Sequence, residues 1–200
     1  RYMLSQQDGV LDDHWWWDNL RGEPEFQRLA DWKTKKGVPA VVRTTEWNEQ
    51  NTRAGADLGE TVRNFLRDAD EKWGVEYVLL GGDTEIIPER LAYVKFYTGD
   101  FIPTDMYYGC LDGSWNADGD SLWGEGFHSL SNPGDDVDLY AEIYVGRVPA
   151  VDLADAQLLV DKTINYETPS DTTYKSDFLL LGEVIYPSDY TPGDNIVNDG

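Results

Sequence analysis

Oxygen-bearing side chains at alternate positions dominate one glycine-rich stretch of the sequence. Asn116, Asp118 and Asp120 have the spacing by which a calcium loop turns its ligands inward, and Asp112 and Glu125 are the further candidate ligands. The stretch is not a standard EF-hand, because no glycine follows Asp120 and no glutamate occupies the twelfth position. Hard oxygen donors on a tight turn suit calcium better than zinc. We therefore expect a structural calcium ion, with an acidic turn that holds no ion as the alternative.

The sequence offers one cysteine, Cys110, as a candidate nucleophile and two histidines, His14 and His128, as candidate bases. A Cys–His pair requires the thiol to lie next to the imidazole. Cys110 lies in the context Tyr-Tyr-Gly-Cys-Leu, where a cysteine is usually a small buried side chain. The histidines are far apart in sequence and follow no metal-ligand spacing. We expect Cys110 to be buried and unreactive, and a single cysteine forms no internal disulfide.

The segment Gly81-Gly82-Asp83 follows a short apolar run that predicts a buried strand. It is not a phosphate loop, because neither a lysine nor an immediate helix follows it. Loops after buried strands lie at the carboxyl edge of an open α/β sheet, where binding sites occur. Asp83 is thus a candidate site residue for a different hydrolase or ligand-binding domain, although no nucleophile lies near it in sequence.

Hydrophobic periodicity predicts strands and helices that alternate along the chain. The predicted strands are Tyr2–Ser5, Val38–Thr44, one inside 74–83, Leu139–Gly146 and Phe178–Leu181, and the predicted helices are Glu23–Lys36, Asp57–Trp73 and Asp152–Tyr166. Three further segments, Ile86–Pro88, Ala92–Tyr97 and Met106–Cys110, are predicted as short extended pieces. This alternation predicts a parallel sheet with right-handed crossovers.

The composition is strongly acidic. The 200 residues include 38 Asp and Glu against 16 Lys and Arg, which gives a net charge of −22. This charge argues against a nucleic-acid partner, because no basic patch is present to neutralise phosphates. No apolar run reaches membrane-spanning length. The acidic excess points to bound cations or to an extracellular setting, and we expect a secreted or cell-surface protein.

An ordered set of segments resembles the gingipain family of cysteine peptidases. The segments are Val78–Asp83, Ile87–Pro88, Thr104–Tyr108, Leu111–Gly113, Ala141–Pro149 and Lys162–Glu167. The similarity runs from about Phe26 to the end of the chain, and the order of the segments makes it specific.

The resemblance implies a caspase-like α/β fold, with a doubly wound, mostly parallel sheet and flanking helices. Residues 1–168 would form the first of two similar subdomains, including the acidic calcium-type loop 112–138. Residues 169–200 would begin the second, catalytic subdomain. Members of the family use a Cys–His dyad at the carboxyl ends of that subdomain's strands. The family's catalytic histidine lies in a His-Gly pair, and its cysteine and this pair both follow later strands. Neither is present in these 200 residues, so we expect this fragment alone to be inactive.

Two acidic residues near the end of the chain match functional positions of the family. Glu183, in Leu-Gly-Glu after the strand Phe178–Leu181, matches the glutamate that supports the catalytic histidine. The alternative for Glu183 is a carboxylate that caps a loop. Asp194 matches, in an ungapped register, the acidic residue that receives a basic substrate side chain in arginine-specific members.

We interpret the chain as the N-terminal portion of a secreted, calcium-stabilised, gingipain-like cysteine endopeptidase that cleaves, by the same resemblance, after basic residues. The expected partners are a protein or peptide substrate and the remainder of the catalytic domain. The rival hypothesis is a non-catalytic acidic calcium-binding module used for adhesion or assembly. A His-Gly motif and a cysteine after later strands, beyond Gly200, would discriminate between the two.

Overall fold

The computed structural model describes residues 2–5, 23–95, 99–126, 134–168, 172, 173 and 177. Contacts divide the chain into two compact units, residues 1–164 and 165–200. The predicted strand Phe178–Leu181 lies outside the described residues. The predicted division into a first and a second peptidase subdomain therefore stays a prediction.

Four parallel strands form the central sheet. The strands of the described residues are β1 (Tyr2–Ser5), β2 (Ala40–Val42), β3 (Tyr77–Gly81), β4 (Arg90–Lys95), β5 (Gly99–Thr104) and β6 (Tyr144–Val148). The sheet has the order β2–β1–β3–β6, and β4 and β5 form a separate antiparallel hairpin. Strand β3 pairs with β6 in a register that places Tyr77 beside Tyr144 and Gly81 beside Val148. The strands are apolar because helices cover the sheet on both faces.

Helices lie on both faces of the sheet. They are α1 (Glu23–Lys35), α2 (Thr45–Asn51), α3 (Leu58–Trp73), α4 (Met106–Gly109) and α5 (Leu153–Glu167). One core cluster joins α3 and α4 to the sheet, and a second joins α1 and α5 to its other face. This arrangement confirms the predicted α/β fold with a parallel sheet and flanking helices. Within the described residues, no helix has both the length and the apolar composition that a membrane crossing requires.

Local sequence signals determine where helix α3 begins and ends. The side chain of Asp57 accepts a hydrogen bond from the backbone N–H of Glu60 at 2.7 Å, which caps the first turn. Gly74 ends the helix with a φ of 61°, in the left-handed region that glycine adopts without a steric penalty. Between these ends, apolar residues at helical spacing are buried against the sheet.

Several predicted elements are wrong in type or position. Met106–Cys110 contains a helical turn instead of an extended piece, because this turn buries the rings of both Tyr107 and Tyr108. Residues 84–87 form a turn closed by hydrogen bonds to the carbonyl of Asp83, so the prediction of an extended piece at Ile86–Pro88 is also wrong. The strand predicted at Leu139–Gly146 begins only at Tyr144.

Candidate functional site

The carboxyl edge of the sheet is braced by Arg147, the fourth residue of β6. Its guanidinium binds both carboxylate oxygens of Asp105, at 2.7 and 2.6 Å. It also donates to the carbonyls of Gly82 and Ile87, at 2.9 and 2.8 Å. This bidentate pair fixes the segment after β3 against α4. Arg147 therefore ties the turn that contains Asp83 to the carboxyl edge of the sheet.

Cys110 is a buried, protonated thiol. Its side chain is 1% exposed. Burial, followed by the negative charges of Glu142 and Asp138, raises the pKa of the thiol to about 11. A nucleophilic cysteine needs a lowered pKa and access to substrate. The prediction that Cys110 is buried is thus confirmed, and this cysteine is unsuited to attack a peptide bond.

The remaining candidates for peptidase chemistry lie outside the described residues. These are Glu183 and Asp194, which follow the predicted strand of the second subdomain, and the histidines His14 and His128. The roles assigned to Glu183 and Asp194 therefore stay predictions.

Acidic side chains meet in two separate clusters near the surface. The carboxylates of Asp118, Asp120 and Glu125 have oxygen atoms within 4.8 Å of one another. Asp112 lies instead with two residues that the sequence analysis did not select, Asp138 and Glu142, again within 4.8 Å. We name Asp118, Asp120 and Glu125 the loop cluster, and we name Asp112, Asp138 and Glu142 the strand cluster. The five sequence candidates thus do not share one centre.

The loop cluster is built on successive tight turns. The carboxylate of Asp118 accepts from the N–H of Asp120 at 3.2 Å, and the carboxylate of Asp120 accepts from the N–H of Leu122 at 2.6 Å. Asn116 donates from its amide to the carbonyl of Asp120 at 3.0 Å. Such side-chain turns explain why Asp and Asn occupy these positions. They also place the carboxylates on one side of the loop.

Asp135 closes the loop from the opposite side. One carboxylate oxygen accepts from the N–H of Ala117, and the other accepts from the N–H groups of Gly124 and Glu125 at 2.7 and 3.2 Å. Gly134 has a φ of 73°, and a Cβ at this position would lie 2.4 Å from the carbonyl oxygen of Gly126. Glycine is therefore required where the two chain segments approach each other.

Two tryptophans anchor the loop to the protein interior. Trp115 is buried and makes an edge contact with Tyr107, with ring centroids 5.4 Å apart. The guanidinium of Arg90 lies 3.8 Å from the ring centroid of Trp123. Cation–π contacts at this distance are favourable, particularly where water is excluded. The aromatic anchors hold the backbone in place while the carboxylates of Asp118 and Asp120 face solvent.

The strand cluster lies between the start of the loop and the segment before β6. The carboxylate of Glu142 accepts hydrogen bonds from the N–H groups of Leu111 and Asp112. Desolvation, followed by the like charges of Glu142 and Asp138, raises the pKa of Asp112. A cation that binds between these carboxylates would relieve the repulsion that raises this pKa.

Two arginines of α3 hold the backbone that carries Asp112. Arg63 is 4% exposed and donates to the carbonyls of Cys110, at 2.6 Å, and Asp112, at 2.9 Å. Burial, followed by the charge of Arg67, lowers the pKa of Arg63 to about 10. Arg67 donates to the carbonyls of Leu111 and Gly113. Together the two side chains bind four consecutive carbonyl groups.

Sequence reasoning missed these supporting residues. Arg63 and Arg67 carried one signal, since they are four residues apart on a helix and so share a face. Asp135 and Asp138 fell inside the predicted acidic loop 112–138 but had no ligand spacing, and Glu142 lies outside that loop, so only the folded chain brings it to Asp112.

Both clusters have the chemistry of a hard-cation site. Each joins three carboxylates, and calcium prefers six to eight oxygen ligands at about 2.3–2.6 Å, supplied in part by backbone and water. In the loop cluster, Glu125 is 1% exposed beside two exposed carboxylates. Burial of a carboxylate next to like charges is costly, and a divalent cation would offset that cost. The donor set therefore fits calcium.

Comparison with known proteins gives one consistent result. A model of peptidase family C25 matches residues 13–198. Gingipain R2 of Porphyromonas gingivalis is 25% identical over 147 residues, which cover 72% of this chain and 15% of that protein. Gingipain R1 of the same organism is also 25% identical, over 72% of this chain and 11% of its own length. The chain thus spans less than a fifth of these relatives.

Solved structures agree on the fold. Dimeric latent PorU from Porphyromonas gingivalis has a TM-score of 0.52 at 21% identity, over 83% of this chain and 15% of that chain. A structure described as a protease also has a TM-score of 0.52, at 18% identity, over 83% of this chain and 28% of its own length. At these identities the likeness shows the fold alone, and it confirms the predicted caspase-like α/β architecture.

Proposed function

Because this chain belongs to peptidase family C25, the gingipain family of cysteine peptidases, we propose that it forms the first part of the catalytic domain of a cysteine endopeptidase. The observation that supports this proposal is that Cys110 is buried and therefore cannot be the nucleophile. The only cysteine of these 200 residues is buried, with a raised pKa, so the nucleophile must be supplied by later residues. The family match disfavours a purely adhesive module.

In the complete enzyme, the cysteine thiolate attacks the carbonyl carbon of the scissile peptide bond. The histidine, as imidazolium, donates its proton to the leaving amine, and water then hydrolyses the acyl-enzyme. Glu183 accepts a hydrogen bond from the imidazole and stabilises its charged form. Asp194 pairs with a basic side chain of the substrate. The substrate is a protein or peptide, and the enzyme acts outside the cell.

The test uses the full-length protein and a fluorogenic peptide with arginine before the cleaved bond. The Cys110→Ala variant is expected to keep its activity, and the activity should remain sensitive to a thiol-alkylating reagent. Glu183→Gln should lower kcat with little change in KM, and Asp194→Asn should raise KM for basic substrates. Loss of activity in a correctly folded Cys110→Ala protein would contradict the proposed division of roles.

We further propose that the two acidic clusters bind calcium and that the ions stabilise this unit. A ligand that binds only the folded state at 100 times its Kd contributes about 2.7 kcal/mol of stability. For a protein of this size, that corresponds to a rise in Tm of roughly 5–11 °C. The expected result is a drop of this size when chelator is added to the calcium-loaded chain.

Single substitutions separate the two clusters. Glu125→Gln should reduce the calcium response through the loop cluster, and Glu142→Gln should reduce it through the strand cluster. Glu85→Gln is the matched control, since Glu85 is exposed in the turn after β3. Isothermal titration calorimetry of each variant counts the sites. If calcium neither binds nor changes the Tm of the wild-type chain, both sites are wrong.

A further inference from the structure

A cavity of about 340 Å³ lies between the sheet and the two helices α1 and α5. It extends along β6, because both the first and the last residue of that strand, Tyr144 and Val148, line it. Leu29 of α1 and Thr163 of α5 line it from the helices, and all of the described lining residues belong to the first compact unit. The volume falls within the range of ~300–1,000 Å³ that small-molecule sites occupy.

The lining of the cavity is apolar. Of the described residues that line it, Lys33 alone carries a charge, and Lys33 already takes part in another interaction. The hydroxyl of Thr163 donates to the carbonyl of Leu159 at 2.9 Å, so its proton is used within α5. The rest of the described lining consists of aliphatic side chains, one glycine and two tyrosines. A charged ligand would lose its hydration here without a set of compensating partners, so the lining selects a neutral, apolar ligand.

Gly146, in the middle of β6, keeps part of this space open. Its φ lies outside the left-handed region, so the backbone does not require glycine. Packing does not require it either, because a Cβ at this position would make only an ordinary contact, 3.6 Å from Leu79 Cδ1. Gly81 of the neighbouring strand differs, since a Cβ there would lie 2.8 Å from the ring of Phe26. Glycine inside a strand is destabilising relative to alanine, and it often marks the close approach of a ligand.

Two stacked tyrosines in the lining favour a planar ligand. Tyr77 and Tyr144 are paired in the register of β3 and β6, and their ring centroids are 5.3 Å apart with 24° between the ring planes. Tyr144 is 70% exposed, so its ring is accessible to a further aromatic ring. Stacked aromatic rings attract each other beyond the effect of burying their area. A flat aromatic molecule therefore suits this cavity better than a flexible alkyl chain.

The volume of the cavity sets the size of the ligand. An apolar cavity of roughly 150 Å³ holds one benzene molecule. The present cavity has about twice that volume, which corresponds to two fused aromatic rings. The described lining offers few hydrogen-bonding groups for a peptide backbone, so a free molecule is favoured over a tryptophan of a polypeptide.

We propose that this cavity is a binding site for a neutral, planar, two-ring aromatic small molecule. One ring stacks beside Tyr144, and the other lies in the space that Gly146 leaves open. Binding is stabilised by burial of apolar surface and uses neither the acidic clusters nor Cys110. The proposal is therefore independent of the peptidase chemistry and of calcium binding.

The test is isothermal titration calorimetry of the full-length protein with 2-naphthol, which has two fused rings and is uncharged at pH 7. Gly146→Val should weaken binding at least about tenfold, because the valine side chain occupies the space of the ligand. Without ligand, the same variant should unfold at an unchanged or higher temperature, since valine favours strands. Gly126→Val is the matched control that should leave binding unchanged, because a Cβ at Gly126 has nothing within 4 Å.

A second pair of variants tests the stacking. Tyr144→Ser should weaken binding roughly threefold to tenfold, the equivalent of one lost aromatic pair, and Tyr144→Phe should keep the affinity. Tyr140→Ser is the control, because Tyr140 is 78% exposed and lies outside the described lining. Thermal unfolding of each variant confirms that it is folded.

Ligand variants identify the chemistry of the site. Naphthalene-2-carboxylate, with the same rings and a negative charge, should bind at least about tenfold more weakly than 2-naphthol. Undetectable binding of 2-naphthol by the wild type, or equal binding of the carboxylate, would overturn the proposal. Full affinity in both Gly146→Val and Tyr144→Ser would overturn it too. Tighter binding of the neutral peptide acetyl-Gly-Trp-Gly-amide, lost in Gly146→Val, would identify a polypeptide instead and reject the free small molecule.

Discussion

Asp57 connects the first turn of α3 to the hairpin that supports the acidic loop. It caps the helix and also accepts hydrogen bonds from both terminal nitrogens of Arg90, at 2.8 and 2.9 Å. The Arg90 side chain is 11% exposed and lies against the rings of Tyr107 and Trp123. The Asp57→Ala substitution therefore removes a helix cap and leaves a mostly buried guanidinium without its carboxylate.

The two losses have different magnitudes. An N-cap contributes about 1 kcal/mol. Breaking a fully buried ion pair costs about 3–5 kcal/mol, but the Asp57 side chain is 46% exposed, so we reduce this contribution to about 1–2 kcal/mol. Asp57→Ala should thus lower the free energy of unfolding by about 2–3 kcal/mol, or roughly 4–12 °C in Tm. Asn also caps helices, so Asp57→Asn should lose only the contribution of the ion pair, about 1–2 kcal/mol.

Urea and thermal unfolding at pH 7 measure both variants. Asp68→Asn is the control, because its exposed pair with Lys72 should contribute less than about 0.5 kcal/mol. Burial alone would raise the pKa of Asp57, but the hydrogen bonds from Arg90 and from the N–H of Glu60 hold it below its usual value. This contribution to stability is present above the unfolded-state pKa and is lost as the pH falls through the folded-state pKa, so wild type and Asp57→Asn should converge in acid. Equal losses in the Ala and Asn variants would refute the reasoning.

Four further outcomes follow from the site. Arg63→Met should lower the free energy of unfolding by about 2–4 kcal/mol in urea titrations, because it leaves buried carbonyls without a donor. Gly134→Ala should remove the part of the calcium-dependent rise in Tm that comes from the loop cluster, as Glu125→Gln does. Gly119→Ala, which has open space around it, should cost only about 1 kcal/mol. Cys110 should react with a thiol reagent only as fast as the chain unfolds, as a comparison of labelling and unfolding rates would reveal. The pKa of Asp112 is raised in the folded chain. Its contribution to the stability of the calcium-free fold is therefore present below the unfolded-state pKa and is lost as the pH rises through the folded-state pKa. Thermal melts should accordingly show a larger calcium-dependent rise in Tm at pH 7 than at pH 4.

The sequence by itself determined the elements whose boundaries and faces are local. Helix α3 was predicted as Asp57–Trp73 and occupies Leu58–Trp73, because its cap, its apolar stripe and its terminal Gly74 act within a few turns. The buried run before Gly81 predicted β3 for the same reason, since a short apolar strand between covering layers has few alternatives. The order of these segments also identified the family.

Only the tertiary structure decided the short elements and the composition of the acidic clusters. Helix α2 has a polar sequence, and its formation depends on burial of Thr45 and Asn48 and on the contact of Trp47 with Phe65 of α3. The loop spacing predicted five ligands around one ion, but Asp112 lies with two carboxylates that follow it by more than twenty residues. Spacing describes only neighbours along the chain. The pairing of β6 with β3 and the arginines of α3 determine which distant oxygen atoms meet, and these interactions form only when the chain folds.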